Sequence, residues 1–169
     1  MIKKQRIAVA SLCLSALGYA GIVAHESYTE KAIIPTKNDR PTVGFGSTFR
    51  DDGTPVALGD TITPPKAIVR SVAHIGKDEV GLKKCVTGEM TQGEYDVLVD
   101  FSYQYGVRTT CASSMVREIN AGNYVAACNA YTLYKWSGGY DCSLPENKRI
   151  CGGVVTRNLE RKQRCLAAG

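Results

Sequence analysis

From Ile7 to Ala24 the chain carries no charged side chain, and Lys3, Lys4 and Arg6 stand immediately before this run. Such a stretch has two kinds of destination, the hydrocarbon of a bilayer or the interior of a domain. As one helix it would reach about 27 Å, close to the ~30 Å hydrocarbon thickness of a membrane. The basic flank predicts a cytoplasmic N-terminus and export of everything downstream. The run is only mildly apolar: half of it is Ala, Gly or Ser, including Ser15, Gly18 and Gly21. Three readings therefore stand: a cleaved signal peptide, with Gly18-Tyr19-Ala20 as a small-x-small site; an uncleaved anchor weak enough to leave the membrane later; and a buried helix of a soluble domain. The basic flank weighs against the last.

The cysteines point to export independently. There are seven, at positions 13, 85, 111, 128, 142, 151 and 165, and six of them lie in the globular part at long, irregular spacings. With only two His, no zinc-finger pattern can be built, and no C-x-x-C redox motif occurs. Structural disulfides in an oxidising compartment are the better reading, with at least one thiol left over. A chain of 169 residues suits one domain with a real core. Its formal charge is +5, but Lys3, Lys4 and Arg6 contribute three of those positives, so the remainder is only mildly basic and charge gives no case for nucleic-acid binding.

Along the rest of the chain, His25–Ala32 reads as a polar helical turn and 33–41 as a Pro-containing loop. Thr42–Thr48 (TVGFGST), the Asp51-Asp52-Gly53 turn and 55–58 read as a small β-hairpin region. Thr63-Pro64 opens a helix running to about Cys85. Thr91-Gln92-Gly93-Glu94 is a capping box, followed by Val97, Leu98, Phe101 and Tyr105 on one helical face and a stop at Gly106. Short helices are expected near 113–121 and 124–136, and a last one over 154–166, with Val155, Leu159 and Leu166 inward and RNLERKQR largely outside. The expected fold is α+β, mostly α: a small β-hairpin lobe and a helical lobe with a cleft between them, preceded by an N-terminal hydrophobic helix.

No G-x-S-x-G, H-E-x-x-H or P-loop is present. The remaining chemistry is acidic and hydroxylic: Glu26, Asp39 and Thr42, just before Gly44-Phe45-Gly46. Glycoside hydrolysis needs a proton donor for the leaving oxygen and a second group that activates water or answers positive charge on the sugar. These residues could supply both. Gly44 and Gly46 are read as backbone-geometry residues ahead of substrate contacts, and Trp136 with the tyrosines at 103, 105, 131 and 134 as core ahead of sugar platforms. His25 is read as a polar residue at a membrane boundary.

The segment HESYTEKAIIPTKNDRPTVGFGST resembles the catalytic stretch of the tailed-phage lysozymes, glycoside hydrolase family 24. There a Glu ends the first helix, an Asp lies on the next loop, and a Thr opens the strand before a G-[IFY]-G. MTQGEYDVLVDFSYQYG, SSMVREINAGNYVAAC and GGVVTRNLERKQRCL resemble later family helices in the right order, so the similarity covers roughly residues 24–168. The resemblance implies a lysozyme-like fold and an endolysin that cuts the β-1,4 link between N-acetylmuramic acid and N-acetylglucosamine with inversion. Glu26, rather than Glu30, would be the general acid; Thr42 would hold the attacking water; Asp39 would be the charged partner. The family's usual spacing puts that Asp about six residues before the Thr, which lands on Thr36; Asp39 is the only acidic residue between Glu30 and Asp51.

No cofactor or metal is implied. The implied partners are peptidoglycan and, through residues 1–24 as a releasable signal-anchor, the host inner membrane; the catalytic domain, 25–169, would be a periplasmic monomer after release. In the resembling family the two closing helices pack together, which would bring Cys128 to Cys165. Cys142 and Cys151 flank one loop and could close it, leaving Cys85 with Cys111 and Cys13 free; this is one of 15 pairings of six cysteines. A lytic transglycosylase on the same bond, or a wall-binding protein without catalysis, are the rival functions. The Asp39/Thr42 pair argues against the first, and retention of Glu26 with Thr42 against the second.

Overall fold

A computed structural model describes residues 5–35 and 39–169. The uncharged run does not form one helix. Strand β1 (Ile7–Ala8) leads into a 3-10 turn (Val9–Ser11), an extended link, and helix α1 (Ala16–His25). Ser15 makes the break: its backbone is extended and its Oγ accepts a hydrogen bond from Gly18 N at 2.9 Å, the N-cap arrangement that starts a helix anew. The continuous N-terminal hydrophobic helix expected from the sequence is thus replaced by a strand and a ten-residue helix. None of the described helices is long and apolar enough to cross a membrane. Lys3 and Lys4 lie outside the described residues.

The segment is instead built into the domain. Val9, Leu12 and Ile22 are buried in one cluster with Ile75, Leu82, Tyr95 and Leu98. β1 pairs antiparallel with β4 (Glu89–Met90). Acidic side chains receive the segment's polar groups. Glu94 takes the Arg6 guanidinium through two bonds, at 2.6 and 3.1 Å, and the same guanidinium lies 3.7 Å over the Tyr124 ring. Asp96 accepts from Ser15 N and Oγ, and Glu79 accepts from Leu14 N at 2.7 Å.

The small lobe holds β2 (Thr29–Ile33) paired antiparallel with β3 (Thr42–Gly44), and a satellite core of Ala32, Val43, Val56, Ile62 and Ala67. The polar helical turn expected up to Ala32 is therefore a strand from Thr29: the Thr-Glu-Lys-Ala-Ile alternation buries only Ala32 and leaves Glu30 and Lys31 outside. The turn at Asp52-Gly53 forms as expected, with Gly53 at φ +83° and Asp52 Oδ1 accepting from Thr54 N. Helix α2 (Pro64–Cys85) joins the lobes.

Helix α3 (Gln92–Tyr105) is the axis of the large lobe, buried almost all round from Glu94 to Ser102. Its capping box is complete and Gly106 ends it at φ +81°. Around it pack α4 (Val107–Cys111), α5 (Ser114–Asn120), α6 (Tyr124–Ala130) and α7 (Lys148–Ala168). The helix expected to reach Trp136 stops at Ala130; a 3-10 turn follows, then a hairpin of β5 (Trp136–Ser137) and β6 (Tyr140–Asp141) turning on Gly138 and Gly139, both at positive φ. The disulfides are Cys85–Cys111, Cys128–Cys165 and Cys142–Cys151, with Cys13 free and exposed. That is the expected pairing.

The last helix faces the other way from expectation. Leu159 and Leu166 are exposed, while Asn158, Arg161, Cys165 and Ala168 are buried. A polar partner already buried on α3 selects that polar face.

Gly18 packs so closely on α3 that an added Cβ would lie 2.7 Å from Asp96 Cγ and from a Leu14 methyl. Gly18→Val should therefore lower unfolding free energy by about 1–3 kcal/mol, an overpacking cost larger than the ~1 kcal/mol that leaving Gly returns within a helix. Urea denaturation at neutral pH measures it; an unchanged midpoint would mean that α1 does not bear on Asp96.

Candidate active site

Glu26 is the C-cap of α1, its N–H bonded to Ile22 O at 3.2 Å, so the helix docked on α3 delivers its carboxylate into the cleft. The side chain is partly exposed. Oε1 accepts from Arg157 Nη1 at 2.8 Å. Oε2 turns toward Gly46, where an added Cβ would sit 3.5 Å away.

Arg157 is itself held from behind. Its Nη2 donates to Asp100 Oδ1 at 2.8 Å, and Arg161 Nε donates to Asp100 Oδ2 at 2.9 Å. Arg161 also donates to Gln104, Asn158 and the Asp100 carbonyl. Asp100 and Arg161 are each 1% exposed. Burial alone would raise the Asp100 pKa; the hydrogen bonds and charges of Arg161 and Arg157 outweigh it and hold the carboxyl below the ordinary range. Arg157 follows the same logic in reverse, desolvation pulling it down and Asp100 and Glu26 pulling it further up. Sequence reading placed these arginines outside. The one available signal was the Arg157/Asn158/Arg161 spacing, which puts three polar groups on one helical face beside an interior Asp.

Thr42 opens β3 opposite and lines the same cavity as Glu26, about 370 Å³, together with Thr29, Gly46, Tyr103 and Gln104. Gly44 and Gly46 have φ of +68° and +76°. A Cβ on Gly44 would meet the Ala67 Cβ at 2.9 Å, so both backbone geometry and packing require Gly there. The turn between them is closed by reciprocal bonds of Val43 and Ser47 at 3.0 Å, and Tyr103 Oη donates to Phe45 O at 2.5 Å. Burial and the nearby Glu26 carboxylate push the Tyr103 phenol well up, so it remains a neutral donor that ties the small lobe to α3.

Asp39 is exposed, with Oδ1 accepting from Arg40 N at 2.8 Å, and it is not among the described residues lining the cavity. The structure thus brings Glu26 and Thr42 together and leaves Asp39 on the loop beside them. Thr36, the position indicated by family spacing, lies outside the described residues. Glu30 is exposed on β2, away from the lining. His25 is within 3.4 Å of Glu160 on α7. Of the aromatics expected inside, Tyr131 is buried and Tyr105 and Tyr134 pack on Phe101. Trp136 is not core: it is 60% exposed, because the chain turns into a hairpin there instead of continuing as a helix.

Residues 23–160 match the family model described as phage lysozyme. The chain is 33% identical to the endolysin of Salmonella phage P22 over 110 residues, 64% of this chain and 75% of that protein. It is 34% identical to the endolysin of Bacillus phage B103 over 127 residues, 72% of this chain but only 41% of that longer protein. The solved endolysin of Escherichia coli O157:H7 phage FAHEc1 superposes with a TM-score of 0.79 at 25% identity, covering 94% of this chain and 96% of that one.

Asp100 has a measurable consequence. Because its folded pKa is depressed, its contribution to stability is fully present above the unfolded value of about 3.9 and is lost as pH falls below that. The denaturation midpoint should drop through this window. Asp100→Asn, which leaves two buried arginines without their counter-charge, should lose about 3–5 kcal/mol at pH 7. It should also show a shallower acid limb. A variant as stable as the parent at pH 7 would contradict the role given to this ion cluster.

Proposed function

Because this chain belongs to the phage lysozyme family, we propose that it hydrolyses the β-1,4 bond between N-acetylmuramic acid and N-acetylglucosamine in host peptidoglycan, with Glu26 as general acid. The observation that carries this reading is that Glu26 and Thr42 face one cavity from the two lobes while Arg157 grips one Glu26 oxygen. Oε2 is the oxygen left to carry a proton to the glycosidic oxygen. When that proton is given up, the carboxylate charge that forms already has a fixed cation beside it, so no reorganisation is needed at that moment. The Thr42 hydroxyl would hold the attacking water on the opposite side of the sugar, and Asp39 would answer the positive charge growing on the ring. Attack by water from that side inverts the anomeric centre.

Residues 1–24 are read as a releasable anchor in the host inner membrane, the domain acting in the periplasm as a monomer once free. The support is an incompatibility. Val9, Leu12 and Ile22 cannot be buried in the domain and in a bilayer at once, and α1 carries Glu26. While the segment is in the membrane, the helix that carries Glu26 is not docked on α3 and cannot aim it into the cleft.

Glu26→Gln should reduce lysis of permeabilised Gram-negative cells by at least about a thousandfold, the scale of losing general-acid catalysis, while keeping its fold by circular dichroism. Thr42→Ala should be nearly as damaging. Full activity in Asp39→Asn would remove Asp39 from the mechanism. Anhydro-sugar ends among the products would replace hydrolysis by transglycosylation.

The anchor is tested by fractionation. The variant Ser15→Leu, Gly18→Leu, Gly21→Leu should remain full length in the membrane, each Leu adding roughly 0.3–0.6 kcal/mol of membrane preference. A wild-type periplasmic protein that begins at Gly21 would make the segment a conventional signal peptide.

A further inference from the structure

Trp136 is the chain's one tryptophan, and it stands 60% exposed on the β5–β6 hairpin. Large aromatics are normally drawn inward, so a Trp held in water on a stiff support calls for a reason. The support is stiff. Trp136 pairs across the hairpin with Asp141, and Asp141 is a hub: it accepts from Lys135 Nζ at 2.8 Å, from Ser143 N and Oγ, and its carbonyl accepts from Asn147. Those bonds hold the Asp141 carboxyl down to about 2, so the brace keeps its charge throughout the neutral range. Cys142–Cys151 fastens one end of the hairpin to α7, and Asn158 Nδ2, bonded to Tyr134 O at 2.5 Å, fastens the other.

Three cavities adjoin one another along the side of the molecule where α7 carries the hairpin. A cavity of about 320 Å³ between the small lobe and α2 shares Gly46 and Tyr103 with the Glu26 cavity. The Glu26 cavity shares Gln104 with a third, of about 430 Å³, which runs along α7 from Glu160 to Gly153. Gly153 lies two residues beyond Cys151, where the backbone kinks and the disulfide binds the hairpin. A polymer lying in the cleft and continuing past Gln104 along α7 would arrive at the hairpin.

We propose that Trp136 is a distal sugar-stacking platform: the indole face packs on the C–H face of an N-acetylhexosamine in the same glycan strand whose bond lies at Glu26. The electron-rich ring face attracts the slightly positive C–H hydrogens, and both surfaces leave water on contact. This rests on the glycosidase reading above. It assigns Trp136 a binding task and no part in bond breaking, so its loss weakens capture of long strands and leaves the turnover step alone.

A single Trp makes the test specific, because tryptophan emission from this chain reports Trp136 alone. The catalytically silenced Glu26→Gln protein is titrated with peptide-free glycan strands released from sacculi by an amidase, and separately with the stem peptides released with them. A blue shift that saturates with glycan and is absent with stem peptide supports the platform. No shift with glycan, or a shift with stem peptide only, overturns it. In turnover assays on glycan strands, Trp136→Ala should raise KM about tenfold with kcat unchanged, and Trp136→Phe should recover most of the loss. Wild-type KM in Trp136→Ala overturns the platform and leaves the glycosidase reading intact. If wild-type protein releases no reducing ends from sacculi, both fall together.

Discussion

A buried carboxylate organises this molecule. Asp100 lies on the central helix with almost no solvent, which would be costly for a charge unless it were answered at close range. Arg161 and Arg157 answer it from α7 at 2.9 and 2.8 Å. That pairing fixes the rotation of α7 about its own axis, with its polar face in and Leu159 and Leu166 out. It also spends only one side of Arg157. The other side reaches Glu26 at 2.8 Å, so the same interaction that closes the core of the large lobe sets the position of the carboxylate in the cleft.

The second constraint comes from the N-terminal end. Glu26 ends a helix whose beginning is held by Asp96 through Ser15 and whose upstream strand is held by Glu94 through Arg6. Glu94 does this while completing the capping box of α3 with Thr91, so one carboxylate serves the start of the central helix and the docking of the segment. The acids at 94, 96 and 100 thus form a ladder along α3: the first two seat the segment and α1, and the third aims the residue that α1 delivers. The segment is in this conformation the support of the helix that ends at Glu26.

Much of the frame was legible in the chain itself. The capping box at Thr91, the stop at Gly106 and the α2 start at Thr63-Pro64 are local: each depends on a few adjacent residues whose preferences are satisfied in any context that admits a helix. Gly44 and Gly46 were legible for the same reason, since a left-handed backbone favours Gly wherever it occurs. Glu26 and Thr42 were singled out through the ordered motifs, and both line one cavity between the lobes. Asp39 could not be settled this way, because a loop with changed spacing has no local rule that fixes where its side chain points.

What the sequence alone determined, then, was the set of elements whose cause is local, together with the chemistry available to a cleft. What only the tertiary structure decided was which faces those elements turn to one another. The uncharged run with its basic flank reads from sequence as a membrane or export segment, and the acids of α2 and α3 receive it as a strand and a capped helix of the domain. The arginines of α7 look like a solvated surface until a buried Asp stands opposite. Trp136 looks like core until Gly138-Gly139 turn it outward. In the first two cases a specific partner distant in sequence overrules the hydrophobic pattern; at Trp136 the Gly138-Gly139 turn two residues on does so.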